Sequence, residues 1–344
     1  MPKETVQSLT LLYCYAPEDQ LWAKEIDLHL SHLKRQCHIV SRFDGELLPN
    51  PERKGQLLAQ LSETDLVLLL ISPHFQHVES FWDEISHEAW AVRWLGGCRV
   101  VVLLLEPVDW NHAPYSSREI LPRDAMTPVE WQESESVAPL EVFPPDVRSL
   151  TQWQSQELAF QNIEQRMRVA IEKQWLARGD YLKDEGGGVR DEEALAAYNE
   201  ALRLNSSLSR AWYGKAHVLL SWKRYEEAMR SCDEALRLDP AFSWAWYMKG
   251  NALAGLNRSE EALDAYDQAL RLDPTFSSAW YAKAAVLVAL QRYEEALLTY
   301  DEVLLFDPSS VWAWHGKGAM LKTLGRRKEA RQAYKKARQL GWRS

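Results

Sequence analysis

The segment Ala245 to Pro274, AWYMKGNALAGLNRSEEALDAYDQALRLDP, holds two amphipathic runs separated by a break at Asn257. The first run opens at Ala245-Trp246-Tyr247 and continues through Leu253 and Leu256. The second passes from Glu260 through Ala262, Tyr266, Ala269 and Leu270 and closes at Asp273-Pro274. Apolar residues three and four apart make each run one face of a helix, and the proline ends the pair. The segment is therefore predicted to be a helical hairpin.

The hairpin is repeated. Trp212, Trp246, Trp280 and Trp314 stand 34 residues apart, and Pro240, Pro274 and Pro308 keep the same interval. So do the acidic pairs Glu192-Glu193, Glu226-Glu227, Glu260-Glu261 and Glu294-Glu295, each followed by Ala, with Lys328-Glu329-Ala330 as a last copy. Tyr198, Tyr266, Tyr300 and Tyr334 fall in step, with Cys232 as the odd member. Small residues recur at Ala216, Gly250, Ala284 and Gly318 on the first helix and at Ala228, Ala262, Ala296 and Ala330 on the second.

This pattern resembles the tetratricopeptide repeat, a helix pair of about 34 residues with small residues where the helices cross. Four repeats are expected over 209–344. A divergent helix pair is expected over 173–208, with its first helix near Glu172 to Lys183 and its second from Asp191 to Leu204. Gly186-Gly187-Gly188 would lengthen its turn.

The chain has 344 residues, 46% hydrophobic and 26% charged, which is ordinary globular composition with room for two folded units. A net charge of -9 argues against a nucleic-acid backbone as partner, because phosphate contacts need a surplus of Lys and Arg on one face. Cys14, Cys37, Cys98 and Cys232 show no CxxC or Cys/His spacing, and the nine histidines show no metal-ligand pairing. A reducing compartment without disulfides or a metal site is expected. The apolar runs Leu66 to Ile71 and Val100 to Leu105 are far shorter than the roughly 18 residues of a membrane span, and Leu9 to Tyr15 lacks the features of a signal peptide. The expectation is a soluble, cytoplasmic protein with no membrane partner.

Over residues 1–172 the pattern changes. Strands are predicted at Leu9 to Tyr15, Cys37 to Ser41, Asp65 to Ile71 and Arg99 to Leu105. Helices are predicted at Glu18 to Leu33, Asn50 to Leu61 and Phe81 to Trp94. Strands apolar on both faces and separated by helices imply an α/β class, a doubly wound parallel sheet. Ligands of such sheets bind beyond the carboxyl ends of the strands, where strand order reverses. That selects Ala16 to Asp19, Phe43 to Asn50 and Ser72 to Ser80. A phosphoryl-receiver site fails there, because Ile71 runs into Ser72-Pro73 and Leu105 into Glu106-Pro107, leaving the required carboxylate and cation missing. No Gly-rich phosphate loop is present either.

Residues 9 to about 172 resemble the TIR (Toll/interleukin-1 receptor) domain, which has a flavodoxin-like sheet. The resemblance rests on Leu11 to Asp19, on Arg42-Phe43-Asp44-Gly45, on Ser72-Pro73-His74-Phe75 before a Trp-containing acidic helix, and on Val100 to Trp110. Pro144 to Ile171 matches the last strand and helix. The stretch from about 127 to 142 has no counterpart and is expected to be a surface insertion.

Many bacterial and plant TIR domains hydrolyse NAD+, so the resemblance implies NAD+ as substrate, no bound cofactor, and self-association of TIR domains. The departing nicotinamide leaves an oxocarbenium-like centre that a carboxylate can stabilise. The family's glutamate lies in the helix after the third strand. Glu84, followed by Ile85, answers to it. It lies only two positions after Trp82 instead of about four, and Glu88, six past Trp82, is the alternative. The two share one helical face. Ser80-x-x-Asp83 is equally a capping box, in which Glu84 is only a helix-start acid. Tyr15, Ala16, Phe43, Asp44 and Trp82 are the candidate substrate contacts. Against them stand Trp82 as a core or rim aromatic and Asp44-Gly45 as turn chemistry.

By the register of the repeat family, the concave side receives Tyr213, Tyr247, Tyr281 and His315, joined by Trp244 and Trp312. Aromatics in a groove suit a peptide or helix as ligand. Padding between repeats is the plain alternative. The Lys/Asn clamp that some relatives use for C-terminal carboxylates is missing, since its positions hold His217, Asn251, Ala285 and Ala319. The basic run from Arg326 to Arg338 reads as a solvated capping face. Two functions follow: a sensor that couples peptide capture to NAD+ hydrolysis, as in bacterial immunity, or a non-catalytic adaptor scaffold. A metabolic enzyme lacks any second acid, base or metal set to accompany Glu84.

Overall fold

The computed structural model describes residues 8–44, 64–72, 99–105, 141–143, 155–185 and 188–342. It divides into two compact units, Met1–Ser206 and Ser207–Ser344.

In the first unit five strands form one sheet: β1 (Leu9–Cys14), β2 (Ile39–Asp44), β3 (Leu66–Ile71), β4 (Arg99–Leu104) and β5 (Glu141–Phe143). The order is β2-β1-β3-β4-β5 and every pairing is parallel, with Leu11 opposite Leu66, Leu66 opposite Arg99 and Val101 opposite Glu141. Leu9, Leu11, Leu12 and Tyr13 of β1 and Leu66 to Leu70 of β3 are all buried, as expected of central strands covered on both faces. The strand order is that of a flavodoxin-like doubly wound sheet.

Several boundaries differ from expectation for local reasons. The helix expected from Glu18 is a 3-10 turn at Pro17–Asp19, then α1 (Gln20–His29) and α2 (Ser31–Gln36), parted at Leu30. The second strand begins at Ile39, because Cys37 still donates its N–H to the Leu33 carbonyl and His38 makes the turn at φ 52°. Phe43 and Asp44 consequently lie in β2 and not in the following loop. The last strand is Glu141–Phe143, paired to β4, so the end of the expected 127–142 insertion belongs to the sheet. The expected helices Asn50 to Leu61 and Phe81 to Trp94 lie outside the described residues.

A single helix, α3, runs over Gln156–Glu185, and the expected domain boundary at residue 172 falls inside it. Nothing at Ile171-Glu172 breaks a helix, as neither Pro nor a Gly cap is present. Toward its start Phe160 stacks on His29 with ring centroids 3.8 Å apart. Further along, Arg178 pairs with Asp65 at 3.2 Å, and Asp65 also accepts the Thr10 N–H at 2.8 Å. Helix α4 (Asp191–Leu204) packs on α3 and returns Arg203 to the Gln36 carbonyl at 2.6 Å. The divergent helix pair is thus fastened to the sheet, within the first unit.

The second unit consists of four helix pairs: α5 (Ser209–Ser221) with α6 (Tyr225–Leu238), α7 (Ser243–Gly255) with α8 (Ser259–Leu272), α9 (Ser277–Ala289) with α10 (Tyr293–Phe306), and α11 (Val311–Thr323) with α12 (Arg327–Gln339). The small residues expected at the crossings are all buried: Ala216, Gly250, Ala284 and Gly318 against Ala228, Ala262, Ala296 and Ala330. The repeat tryptophans are half-buried and span the join between units of the array. The indole N–H groups of Trp246, Trp280 and Trp314 donate to the carbonyls of Pro240, Pro274 and Pro308 at 2.9–3.0 Å. Each tryptophan therefore ties a first helix to the turn that leads into it. Asp273 and Asp307 brace the same turns by accepting the N–H groups of Thr275 and Ser309 at 2.9 Å.

Candidate functional site

At the carboxyl edge of the sheet, the crevice of a doubly wound fold lies where β1 and β3 lead in opposite directions. Asp19, in the turn after β1, and Ser72, just after β3, meet there: the serine hydroxyl donates to the carboxylate at 2.5 Å, and both residues are buried. Both residues belong to loops selected from the sequence, Ala16 to Asp19 and Ser72 to Ser80, although neither was named there as a substrate contact. An Asp two residues after a Pro and a Ser ending a strand are each ordinary, and only strand order makes them neighbours.

Of the expected substrate contacts, Tyr15 and Ala16 follow β1 with buried side chains, at 2% and 4% exposure. Phe43 is 45% exposed and stacks on Tyr13 with centroids 4.8 Å apart. Asp44 ends β2. Trp82, Glu84 and Glu88 lie outside the described residues. Among the described residues no group of three or more His, Cys, Asp or Glu is placed to hold a metal, and no helix is long and apolar enough to cross a membrane.

In the array, the six expected groove aromatics and the candidate partner contact Asn251 fall on first helices, and the structure joins the aromatics into ring contacts. Tyr213 meets Phe242 at 5.1 Å between centroids. Trp244 packs on Phe276 at 4.3 Å, and Tyr247 touches Phe276 at 5.0 Å. Tyr281 stacks on Trp312 of the next first helix at 3.3 Å. His315 stacks on Trp342 at 4.0 Å. Asn251 accepts the Tyr266 hydroxyl at 2.8 Å, so its carbonyl is engaged inside its own repeat. Padding and exposure turn out to coexist. The rings bridge neighbouring repeats, yet Trp244 and Tyr281 keep 46% and 44% of their surface in solvent. Burial and the nearby Tyr300 push the Tyr281 phenol up to about 12, so it remains a neutral hydrogen-bond donor.

Phe242, Phe276 and Trp342 were missed from sequence. Phe242 and Phe276 are 34 apart and two after the repeat proline, a signal that was there to read. Two further ladders keep the period. Lys215, Lys249, Lys283 and Lys317 lie 5.3–5.6 Å over the ring of the tryptophan three residues before. Lys249, Lys283 and Lys317 also pair with Asp233, Asp267 and Asp301 of the preceding second helix at 2.5–2.7 Å. Arg224, Arg258, Arg292 and Arg326 each grip the glutamate three residues on. Those side-chain bonds hold Glu227, Glu261, Glu295 and Glu329 below the usual carboxylate range.

Residues 209–242, 247–311 and 313–340 match models of the tetratricopeptide repeat. A curated relative, the uncharacterized protein y4lF of Sinorhizobium fredii (strain NBRC 101917 / NGR234), is 24% identical over 124 residues, which is 36% of this chain and 38% of that protein. The chain thus spans well under half the length of this relative. Similar solved structures include MamA from Desulfovibrio magneticus RS-1, at 21% identity over 51% of this chain and 93% of that one, with a TM-score of 0.42. Another is YrrB, described as a tetratricopeptide-repeat protein with an unusual peptide-binding site, at 26% identity over 53% of this chain and 91% of that one, also with a TM-score of 0.42. The C-terminal part of this chain is an array of tetratricopeptide repeats.

Proposed function

We propose that the protein is a scaffold: the repeat array captures a protein segment along its first-helix aromatics and so brings the α/β domain to a partner. The observation that carries this reading is the exposure of Trp244 and Tyr281 within an otherwise interlocked row of rings. Large half-exposed aromatics on a rigid frame lose little entropy on binding and bury much surface, which makes them the usual anchors of an interface. The test is site-specific photo-crosslinking. A photoreactive phenylalanine at position 281 of the full chain, expressed in its native host, is expected to form a discrete protein adduct that Trp244→Ala abolishes. A chain that yields no adduct, or the same adducts with and without Trp244, would argue against it.

A second reading adds chemistry to the first unit. The β2-β1-β3-β4-β5 order favours it, because it is the order of the sheet that the TIR resemblance implies and it sets Asp19 beside Ser72 at the carboxyl edge. In this reading the TIR domains self-associate when the array finds its cue and then cleave NAD+ to nicotinamide and an ADP-ribose product, as a cytoplasmic defence signal. Glu84, or Glu88 in its place, stabilises the oxocarbenium-like centre, and Tyr15, Ala16, Phe43, Asp44 and Trp82 surround the substrate. Concentrated or crowded protein would be incubated with NAD+ and nicotinamide release followed. Turnover lost in Glu84→Ala and kept in Glu88→Ala supports it, while no turnover in any clustered state leaves the scaffold alone.

A further inference from the structure

The outward faces of the second helices differ from one repeat to the next. On α10 the residues Glu294, Leu298, Glu302 and Leu305 recur at intervals of four, four and three, which places them on one side of the helix. All four are exposed, the leucines at 63% and 73%, and Phe306 adjoins them at 54%. In the other repeats of the second unit the two leucine positions are polar: Leu298 answers to Arg230, Asp264 and Gln332, and Leu305 to Arg237, Arg271 and Gln339. Apolar side chains gathered on one outward face, where the repeat otherwise supplies charge, mark a contact surface.

The charges around these leucines fall into two blocks. Helix α10 has no Lys or Arg, and its Glu294 and Glu302 have no ion-pair partner among the described residues. Helix α12 has one acid, Glu329, which Arg326 already holds. At the positions equivalent to the α10 stripe it presents Lys328, Gln332, Lys336 and Gln339, all exposed. Ala296 and Leu297 of α10 share a buried cluster with Ala330 and Ala333 of α12, so the two outward stripes run side by side. An acidic stripe bearing leucines thus lies next to a basic one bearing glutamines.

We infer that this outer face docks on the same face of a second copy of the chain, with α10 of each copy lying antiparallel on α12 of the other. The register that sets Leu298 against Gln332 also sets Glu294 against Lys336 and Glu302 against Lys328, because the two stripes share one spacing. A two-fold axis between α10 and α12 repeats these pairs in the other half and closes the assembly as a dimer. The aliphatic stems of the lysines cover the leucines while their charged ends reach the glutamates. Laying α10 on α10 of the copy would instead set acid against acid, with no cation on either helix. A basic segment from an unrelated partner would gain Glu294 and Glu302 but meet Lys328 and Lys336 beside them. The contact is separate from the aromatic row on the first helices and does not depend on what that row binds.

The experiment is sedimentation equilibrium on the purified full chain at physiological salt. A reversible monomer–dimer equilibrium is expected, with a dissociation constant on the order of ten micromolar for so small a contact. Leu298→Asp with Leu305→Arg copies Asp264 and Arg271 of the preceding repeat, which keeps the fold, and should weaken the dimer by roughly tenfold or more. Glu294→Lys with Glu302→Lys in one chain, and Lys328→Glu with Lys336→Glu in another, should leave each chain monomeric alone. An equimolar mixture of those two should recover the dimer, and circular dichroism checks that every variant is folded. A chain that stays monomeric to roughly tenfold above the expected constant overturns the dimer and leaves the stripe to a partner of another kind. Self-association that survives the leucine substitutions belongs to another face and overturns it too. So does a mixture that fails to recover, or species that grow past the dimer while still needing the leucines, since either outcome excludes the two-fold pairing. The photo-adduct formed through position 281 should be unchanged by Leu298→Asp with Leu305→Arg, so the dimer and the scaffold fail separately.

Discussion

Gly250 and Tyr266 are packed so closely where α7 crosses α8 that a methyl group on the glycine would lie under 3.0 Å from three ring carbons of the tyrosine. Tyr266 is buried and its hydroxyl is held by Asn251, so its ring has little room to swing aside. Gly250→Ala gains about 1 kcal/mol of helix propensity. Overpacking costs about 1–3 kcal/mol, which outweighs it. Thermal unfolding should occur at lower temperature in Gly250→Ala. Adding Tyr266→Cys, which copies the buried Ala216 and Cys232 of the preceding repeat, should recover part of the loss. An unchanged or raised midpoint in the single variant would contradict the packing argument.

The turn inside each repeat needs one residue in the left-handed region, and the four positions are Lys223, Asn257, Gln291 and Gly325, with φ of 59°, 59°, 59° and 77°. A side chain with a Cβ is strained there unless it is Asn or Asp. Lys223→Gly and Gln291→Gly should each stabilise the array by about 0.5–1 kcal/mol, after the greater chain entropy of glycine is subtracted. Asn257→Gly should gain less. Urea unfolding would show this as a higher midpoint at unchanged slope.

Arg178 and Asp65 link α3 to the start of β3. Burial raises the Asp65 carboxyl above its ordinary value, while the Thr10 N–H and Arg178 pull it back. Because the folded pKa lies above the unfolded one, the ionised group disfavours folding, and that penalty fades as pH falls through the folded value. Arg178→Ala removes a stabilising partner of the ionised form and should cost about 1–2 kcal/mol at neutral pH. The gap between variant and native protein should shrink on acidification as Asp65 takes up its proton. A gap that is constant with pH, by chemical denaturation across an acid series, would mean the pair contributes through packing alone.

Cys232 stands where other repeats have tyrosine and is fully buried, and burial with the nearby Asp233 pushes its thiol up to about 12. Only the thiolate reacts with alkylating reagents. Cys232 should stay unlabelled by iodoacetamide at mildly alkaline pH in native protein and react once urea unfolds the array. Mass-spectrometric mapping of the labelled peptides checks this, and prompt native-state labelling would show that α6 and α7 open locally.

Much of the array was legible from residues alone. Trp246, Pro240 and the small residue at Gly250 recur because each repeat repeats the same contacts with its neighbour, so one unit's packing demands are printed in the chain three or four times. The arginine ladder keeps the period as plainly, but exposed Arg residues are too common for spacing alone to single it out. The groove residues were placed by the same register. Their solvent exposure was not readable, because Tyr247 and Tyr281 occupy equivalent positions and differ through Phe276 on one side and Trp312 on the other.

The first unit behaves differently. Apolar runs announced β1, β3 and β4 to within a residue, since a strand buried on both faces needs little besides continuous hydrophobicity. The short β5 carries no such signal, and its three residues are strand only because Val101, Val102 and Leu103 lie beside them. Nor does any local pattern bring Ser72 to Asp19, 53 residues away, or Arg178 to Asp65, 113 residues away. Periodic contacts between adjacent units leave a repeating mark on composition, whereas a contact made once, across a sheet, leaves none. The helical array could accordingly be inferred from spacing, while strand order, the unbroken α3 and the contact of Asp19 with Ser72 required the folded chain.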